Sequence, residues 1–385
     1  MFCPGTRADR RAWTAHNDDH VIWLPGLPAG IFEGSRPAVL FPPRELRDPA
    51  LKLDVIHFLT PTQVGLLGVY AAQRTGAVLV VQHCTDLNRY AAHYPSALPG
   101  VLALSAMLPF VFKLTGTDVR TLLSMYRPRR RISVWNAEIA SATLAMVYSR
   151  CDRVIALSRK SVRQLGSTTG PYGFDVELLP TGVDPLAEPS LAQIAEFRQT
   201  WGIGGEDEVI GYVGRLGAEK NLELLIQTFA HLAPQRPRLK LLFVGDFNHR
   251  DRLEELAQDT GHGDRIIFTG RLPRNTLGVA YATLDVFLFP SVTGTQGLVL
   301  HEAAAAGCPL IIVDGELSEV LTEGENGYVV RNDSSEMAEK TASLLDAPIL
   351  IQKFSHHSKN LAARFSEKNQ VARQIALYER LASVG

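Results

Sequence analysis

The chain has 385 residues, 46% hydrophobic and 21% charged, with a formal net charge of −1. That length suggests two or three domains, and the composition excludes a disordered, collagen-like or disulfide-dense protein. The charge is unevenly divided: residues 1–185 carry 20 Lys and Arg against 14 Asp and Glu, and residues 186–385 carry 19 against 26. A basic first half suits an anionic partner there, such as a membrane surface, and uneven surface charge without a function accounts for it equally well.

In chain order, Met1 to Gly5 reads as the tail of a strand, so one further βα unit of about 30 residues is expected ahead of Met1. Short β-branched, apolar runs then predict strands at His20–Leu24, Asp54–Leu59, Ala77–Gln82, Arg153–Leu157 and Val176–Leu179. The apolar stretch Val101 to Phe112 is too short to span a bilayer and contains Pro109. Beyond it, Leu122 to Arg131 mixes aromatic, apolar and basic residues, a pattern suited to anionic lipid headgroups. A solvated loop beside a buried helix explains the same residues.

Pro180 to Asp184, followed by Pro185 and Pro189, reads as a boundary. After it, strands are predicted at Val209–Val213, Leu239–Val244, Arg265–Phe268, Val286–Phe289 and Pro309–Val313, with amphipathic segments such as Asn221–Leu232 and Arg250–Asp259 between them. This alternation predicts an α/β fold with parallel sheets. We expect two doubly wound, Rossmann-like domains facing a cleft, residues 1–185 and 186–360, and a terminal helix within residues 361–385. Ligands of such sheets sit at the carboxyl ends of the strands.

Several chemistries find no support. Cys3, Cys84, Cys151 and Cys308 have neither metal nor disulfide spacing, and His249, His262, His356 and His357 have no ligand spacing. There is no Asp-x-Asp for a divalent metal, so no metal or other cofactor is expected. No nucleic-acid module is visible. No basic-then-apolar leader follows Arg7, and a reducing, cytoplasmic location is the economical expectation, peripheral at the inner face of the membrane if the basic half docks there.

Two segments carry charge where a ligand would lie. Gly211 to Asn221 is a strand ending in a tight turn at Gly214, with Arg215 and Lys220 on the loop that follows. A guanidinium fork and a compact ammonium together can neutralise a diphosphate leaving group. Ser291 to Pro309 turns through glycines into an Ala-rich helix near Gly297. Free amides at that helix start can bind phosphate, and Glu302 within the helix can accept vicinal hydroxyls.

Together these segments resemble the family-4 retaining glycosyltransferases of the GT-B fold, in particular bacterial glycolipid hexosyltransferases. The resemblance runs from about Asp54 to Tyr378. It includes Cys151 to Ser158, Pro180 to Asp184, Phe243 to Asp246, Phe268 to Leu272 and Glu325 to Tyr328. It implies that a hexose moves from a nucleotide diphosphate sugar (a UDP- or GDP-hexose) to a hydroxyl acceptor, a lipid, a sugar or a secondary metabolite, with retention of configuration. Arg215 and Lys220 would hold the donor diphosphate and Glu302 the ribose. Gly214 would close the turn, Gly270, Arg271 and Leu272 would meet the nucleobase, and Thr295, Gln296, Gly297 and Leu298 the donor sugar and phosphates. Gln82 to Leu87 resembles the family's Tyr-His-Thr-Asp segment, which implies a catalytic role for Asp86 beside those of Arg215 and Lys220. The terminal helix is implied to cross back onto the first domain.

The pattern departs at two positions. Gly294 stands where the family places its first motif glutamate, and Cys84 where it places a histidine; His83 is adjacent but on the opposite side of an extended strand end. A catalytically impaired GT-B protein that binds nucleotide sugar or a partner enzyme is therefore the alternative.

Overall fold

Runs of Val, Leu and Ile between helices become parallel strands in two separate sheets, as the alternation predicts. The structure is a computed structural model and describes residues 2–5, 21–25, 43–59, 63–85, 98–127, 131–168 and 171–383. It divides into two units: Met1–Leu157 with Ser161–Leu178 and Ile375–Gly385, and Ser158–Lys160 with Leu179–Gln374.

In the first unit, β1 (Phe2–Gly5) and β2 (Ile22–Pro25) form a parallel pair of their own, with Phe2 opposite Ile22 and Gly5 opposite Pro25. The predicted strand at His20–Leu24 therefore does not extend the main sheet. The apolar side chain of β2 has its own cover: Leu24 is buried with Leu46, and with Leu67 and Ala71 of the helix Gln63–Thr75. The main sheet runs β3 (Val55–Leu59), β4 (Val78–Gln82), β5 (Arg153–Ala156), β6 (Val176–Leu178), all parallel and in chain order. Its core gathers Phe58, Val81, Met146 and Tyr148, among others.

In the second unit the strands are β7 (Glu208–Val213), β8 (Leu239–Val244), β9 (Ile266–Phe268), β10 (Val286–Phe289), β11 (Leu310–Ile312) and β12 (Gly327–Val329). Their order in the sheet is β12-β11-β10-β7-β8-β9, parallel throughout. The chain starts at the centre, winds outward through β8 and β9, then returns beside β7 and winds the other way. Between β7 and β10 lies the reversal at which such sheets bind ligands. The predicted strands miss β12, whose three residues are too few for a periodic signal. The core stacks Tyr212 on Phe287 and Phe289, at ring-centroid distances of 6.2 and 6.1 Å.

One glycine explains how three strand ends meet. A Cβ at Gly245, just past β8, would lie 1.9 Å from the carbonyl oxygen of Gly214, just past β7. Only glycine allows that approach. It lets the Gly214 amide donate to Val244 and the Gly245 amide donate to Gly270, each at 2.9 Å.

Candidate functional site

The loops leaving β7 and β10 flank the reversal, and side chains stitch them together. The Thr293 hydroxyl donates to the Glu219 carbonyl at 2.7 Å. The Asn221 amide donates to the Pro290 carbonyl at 3.2 Å and to Asn332 at 2.8 Å. Asn221 holds φ of +58° at the end of a 3-10 turn, Ala218–Lys220, so the helix that follows begins only at Glu223. The predicted helix start at Asn221 is corrected by that left-handed residue.

Arg215 and Lys220 both lie on this loop, in unlike surroundings. The Arg215 guanidinium pairs with Glu219 and lies over the Phe247 ring, 4.6 Å from its centroid. The other oxygen of Glu219 is buried without a hydrogen-bond partner among the described residues. Lys220 is half-buried, and its ammonium makes no ion pair or hydrogen bond among the described residues. Burial lowers its pKa, and the nearby charges of Arg215 and Lys160 push the same way against Glu219. A half-buried cation that makes no ion pair among the described residues is a candidate site for an anion.

Past β10, Ser291 is buried and its hydroxyl folds back onto the Thr293 carbonyl at 3.0 Å. Gly294 has φ of +122°, a conformation that strains any L side chain. Among the described residues a Cβ there would meet only Leu317 Cδ1, at 3.7 Å, but the backbone is unsuited to glutamate. Thr295 is buried, and its carbonyl accepts from the Ser158 hydroxyl at 2.7 Å. The Gln296 side chain is engaged at both ends: it accepts from the Thr181 amide and donates to the Thr181 carbonyl, each at 3.0 Å. It also donates to His301 Nε2 at 3.2 Å. Both amide hydrogens of Gln296 are thus engaged, and its Oε1 keeps one lone pair beyond the Thr181 bond. The helix Leu298–Ala306 begins after Gly297 with no side-chain cap, and Leu298 is exposed at its first position. These amides face the loop side without a capping side chain.

Glu302 sits in that helix with a mostly buried carboxylate. Tyr281 donates to Oε2 at 2.9 Å, and the exposed Arg274 lies 3.3 Å from Oε1. Burial first, then the charge of Glu302, raises the Tyr281 pKa well above its usual value, so the phenol stays a donor. Residue types alone did not reveal Tyr281 and Arg274; the available signal was a carboxylate amid apolar neighbours, which requires donors. His301, also missed, is pushed down to about 4 by burial and is neutral near pH 7.

Gly270 has φ of +72° and its carbonyl is taken by Gly245, while Arg271 is exposed and Leu272 packs partly on the core. Among the described residues no cluster of three His, Cys, Asp or Glu side chains is placed to hold a metal. Asp86 lies outside the described residues. In the first unit, His83 is buried, with Nδ1 2.9 Å from the Tyr148 hydroxyl, and Cys84 is half-buried.

Residues 193–364 match the family described as "Glycosyl transferases group 1". Over 265 residues the chain is 28% identical to the 2-deoxystreptamine glucosyltransferase of Streptomyces kanamyceticus, covering 67% of this chain and 68% of that one. It is 25% identical over 351 residues to the alpha-monoglucosyldiacylglycerol synthase of Acholeplasma laidlawii, covering 89% and 80%. Among solved structures, the sucrose-phosphate synthase of Thermosynechococcus elongatus matches with a TM-score of 0.69 at 18% identity, over 100% of this chain and 99% of that one. Anabaena HepE, solved in complex with UDP and glucose, matches at 0.65 and 20% identity, over 99% and 91%.

Proposed function

Residues 193–364 match the group 1 glycosyl transferases and the chain has the GT-B fold, and we propose that it moves a hexose from a UDP- or GDP-hexose to a hydroxyl acceptor with retention of configuration. The observation that carries this is Lys220, half-buried beside Arg215 at the strand reversal, with no ion pair of its own among the described residues. A nucleotide diphosphate supplies a counter-ion. As the sugar–phosphate bond breaks, negative charge grows on the leaving oxygen, and these two cations stabilise that growth, the kind of binding that raises turnover.

Glu302 takes two hydroxyls of the donor ribose through the lone pairs that Tyr281 and Arg274 leave open. The uncapped amides at Gly297 and Leu298 meet the phosphates, and the backbone at Gly270–Leu272 meets the base. This reading assigns no protein nucleophile: substitution proceeds on the donor's front face and the leaving phosphate oxygen takes the acceptor proton. No metal or cofactor has a role in this scheme. The acceptor is a lipid, a sugar or a secondary metabolite, and the enzyme works at the cytoplasmic face of a membrane, held there peripherally by its basic first unit. No helix among the described residues is long and apolar enough to cross a membrane.

A second reading, a GT-B protein that binds nucleotide sugar or a partner enzyme without turnover, is favoured by Gly294, whose φ of +122° excludes an easy return to glutamate. The test is incubation of the full chain with UDP-glucose or GDP-mannose and a panel of hydroxyl acceptors, with the product's anomeric proton read by NMR. An α-linked product from the α-donor is expected. A β-linked product contradicts retention, and nucleotide binding with neither transfer nor hydrolysis establishes the second reading.

A further inference from the structure

The first unit carries a surface that its helices leave apolar and cationic at once. On the helix Gly116–Met125, Asp118, Leu122 and Met125 are buried, while Val119 and Leu123 are exposed, followed at the C-cap by exposed Tyr126. Positions i, i+4 and i+7 make one stripe, and a stripe of that spacing ordinarily faces a core. Here it faces outward: Leu123 is 67% exposed. Arg120 and Arg127, one residue beyond Val119 and Tyr126, flank the stripe and are exposed. On the neighbouring helices Phe110 is 86% exposed and Ile132 54%. The three helices are fixed to one another: the Tyr126 hydroxyl lies 3.1 Å from Ser105, and Trp135 Nε1 donates to the Met125 carbonyl at 2.6 Å.

Cations outnumber carboxylates here. Residues 98–138 contain Lys113, Arg120, Arg127, Arg129, Arg130 and Arg131 against two carboxylates, Asp118 and the exposed Glu138. Arg129 and Arg130 lie outside the described residues. Asp118 is buried and neutralised by Arg150 at 2.6 Å and by the Thr115 cap, so it offsets none of the exposed cations. Aliphatic and aromatic side chains that leave water, with arginines beside them reaching for phosphate, fit the boundary between headgroups and acyl chains.

We propose that the stripe formed by Val119, Leu123 and Tyr126, with Arg120 and Arg127 beside it, docks on a bilayer containing anionic phospholipid. This deepens the membrane contact of the proposed function by naming its residues and its lipid charge.

The test is flotation of the full chain with vesicles of phosphatidylcholine alone and of phosphatidylcholine with phosphatidylglycerol, at low and high salt. Binding is expected to the anionic vesicles only, and to weaken with salt. Arg120→Gln with Arg127→Gln lowers the partition coefficient roughly 25-fold, about fivefold per cation. Leu123→Ser lowers it about tenfold at every salt concentration. Unchanged thermal unfolding and nucleotide binding show that the variants fold. Equal binding to both vesicles, no binding to either, or loss in the arginine variant with Leu123→Ser at the wild-type level overturns the proposal. The assay contains neither donor nor acceptor, so its failure leaves hexose transfer standing, and absent transfer leaves this surface standing.

Discussion

Two regions of the second unit each bury a lysine, and they treat the charge in opposite ways. Lys160 is 3% exposed, and its ammonium meets Asp314 Oδ2 and the Val292 carbonyl, both at 2.5 Å. Lys220 is half-buried, and its ammonium has no such partner among the described residues; burial depresses its pKa, Glu219 opposes that, and Arg215 and Lys160 add to it. A paired buried charge holds a fold together, because removing either partner strands the other. An unpaired one lowers stability until a ligand arrives, and so marks where function has been placed.

Three changes sharpen or break that contrast, in decreasing order of effect. Lys160→Ala leaves the Asp314 carboxylate without its cation and is expected to cost about 3–5 kcal/mol of stability, read by chemical denaturation. A loss below about 1 kcal/mol removes Lys160 from the structural class. Next is pH. Burial holds His301 down to about 4, below its unfolded value, so the unfolded chain binds more protons as pH falls. Stability is therefore present above about pH 6.5 and is lost as pH drops toward 4. His57 in the first unit, also held to about 4 by burial, acts alike. His301→Phe should flatten the acid limb by on the order of 1–2 kcal/mol at pH 5; an unchanged limb shows that His301 is not coupled to folding. The smallest change is Tyr281→Phe, which removes one hydrogen bond to Glu302. It should weaken nucleotide binding by about 1 kcal/mol while leaving inorganic pyrophosphate binding at the wild-type level. Equal losses for both ligands show that Glu302 does not read the ribose.

Much of this was legible beforehand. The strands of both main sheets announce themselves as β-branched apolar runs, because parallel strands are covered on both faces. Arg215, Lys220 and Glu302 are visible as charges next to strand ends and glycine turns. Their partners are not, since contact needs the fold: Tyr281 is 21 residues from Glu302 and Asp314 is 154 from Lys160. The roles of the glycines were also hidden. Gly294 reads as a lost glutamate in the sequence, whereas its φ of +122° shows a backbone rebuilt around glycine. The pairing of β1 with β2 outside the main sheet left no signal, because strands of four residues carry too little periodicity to choose a neighbour.

The claim that Lys220 is an unfilled anion site is tested most directly by titrating UDP and GDP into wild type and Lys220→Ala by calorimetry, beside a denaturant melt of each. Affinity for the diphosphate should fall by at least about 1.5 kcal/mol, the scale of a charge-assisted hydrogen bond. Stability of the free protein should hold within about 0.5 kcal/mol or rise. Equal nucleotide affinities with a destabilised variant would show the reverse, a lysine that serves the fold and not the ligand.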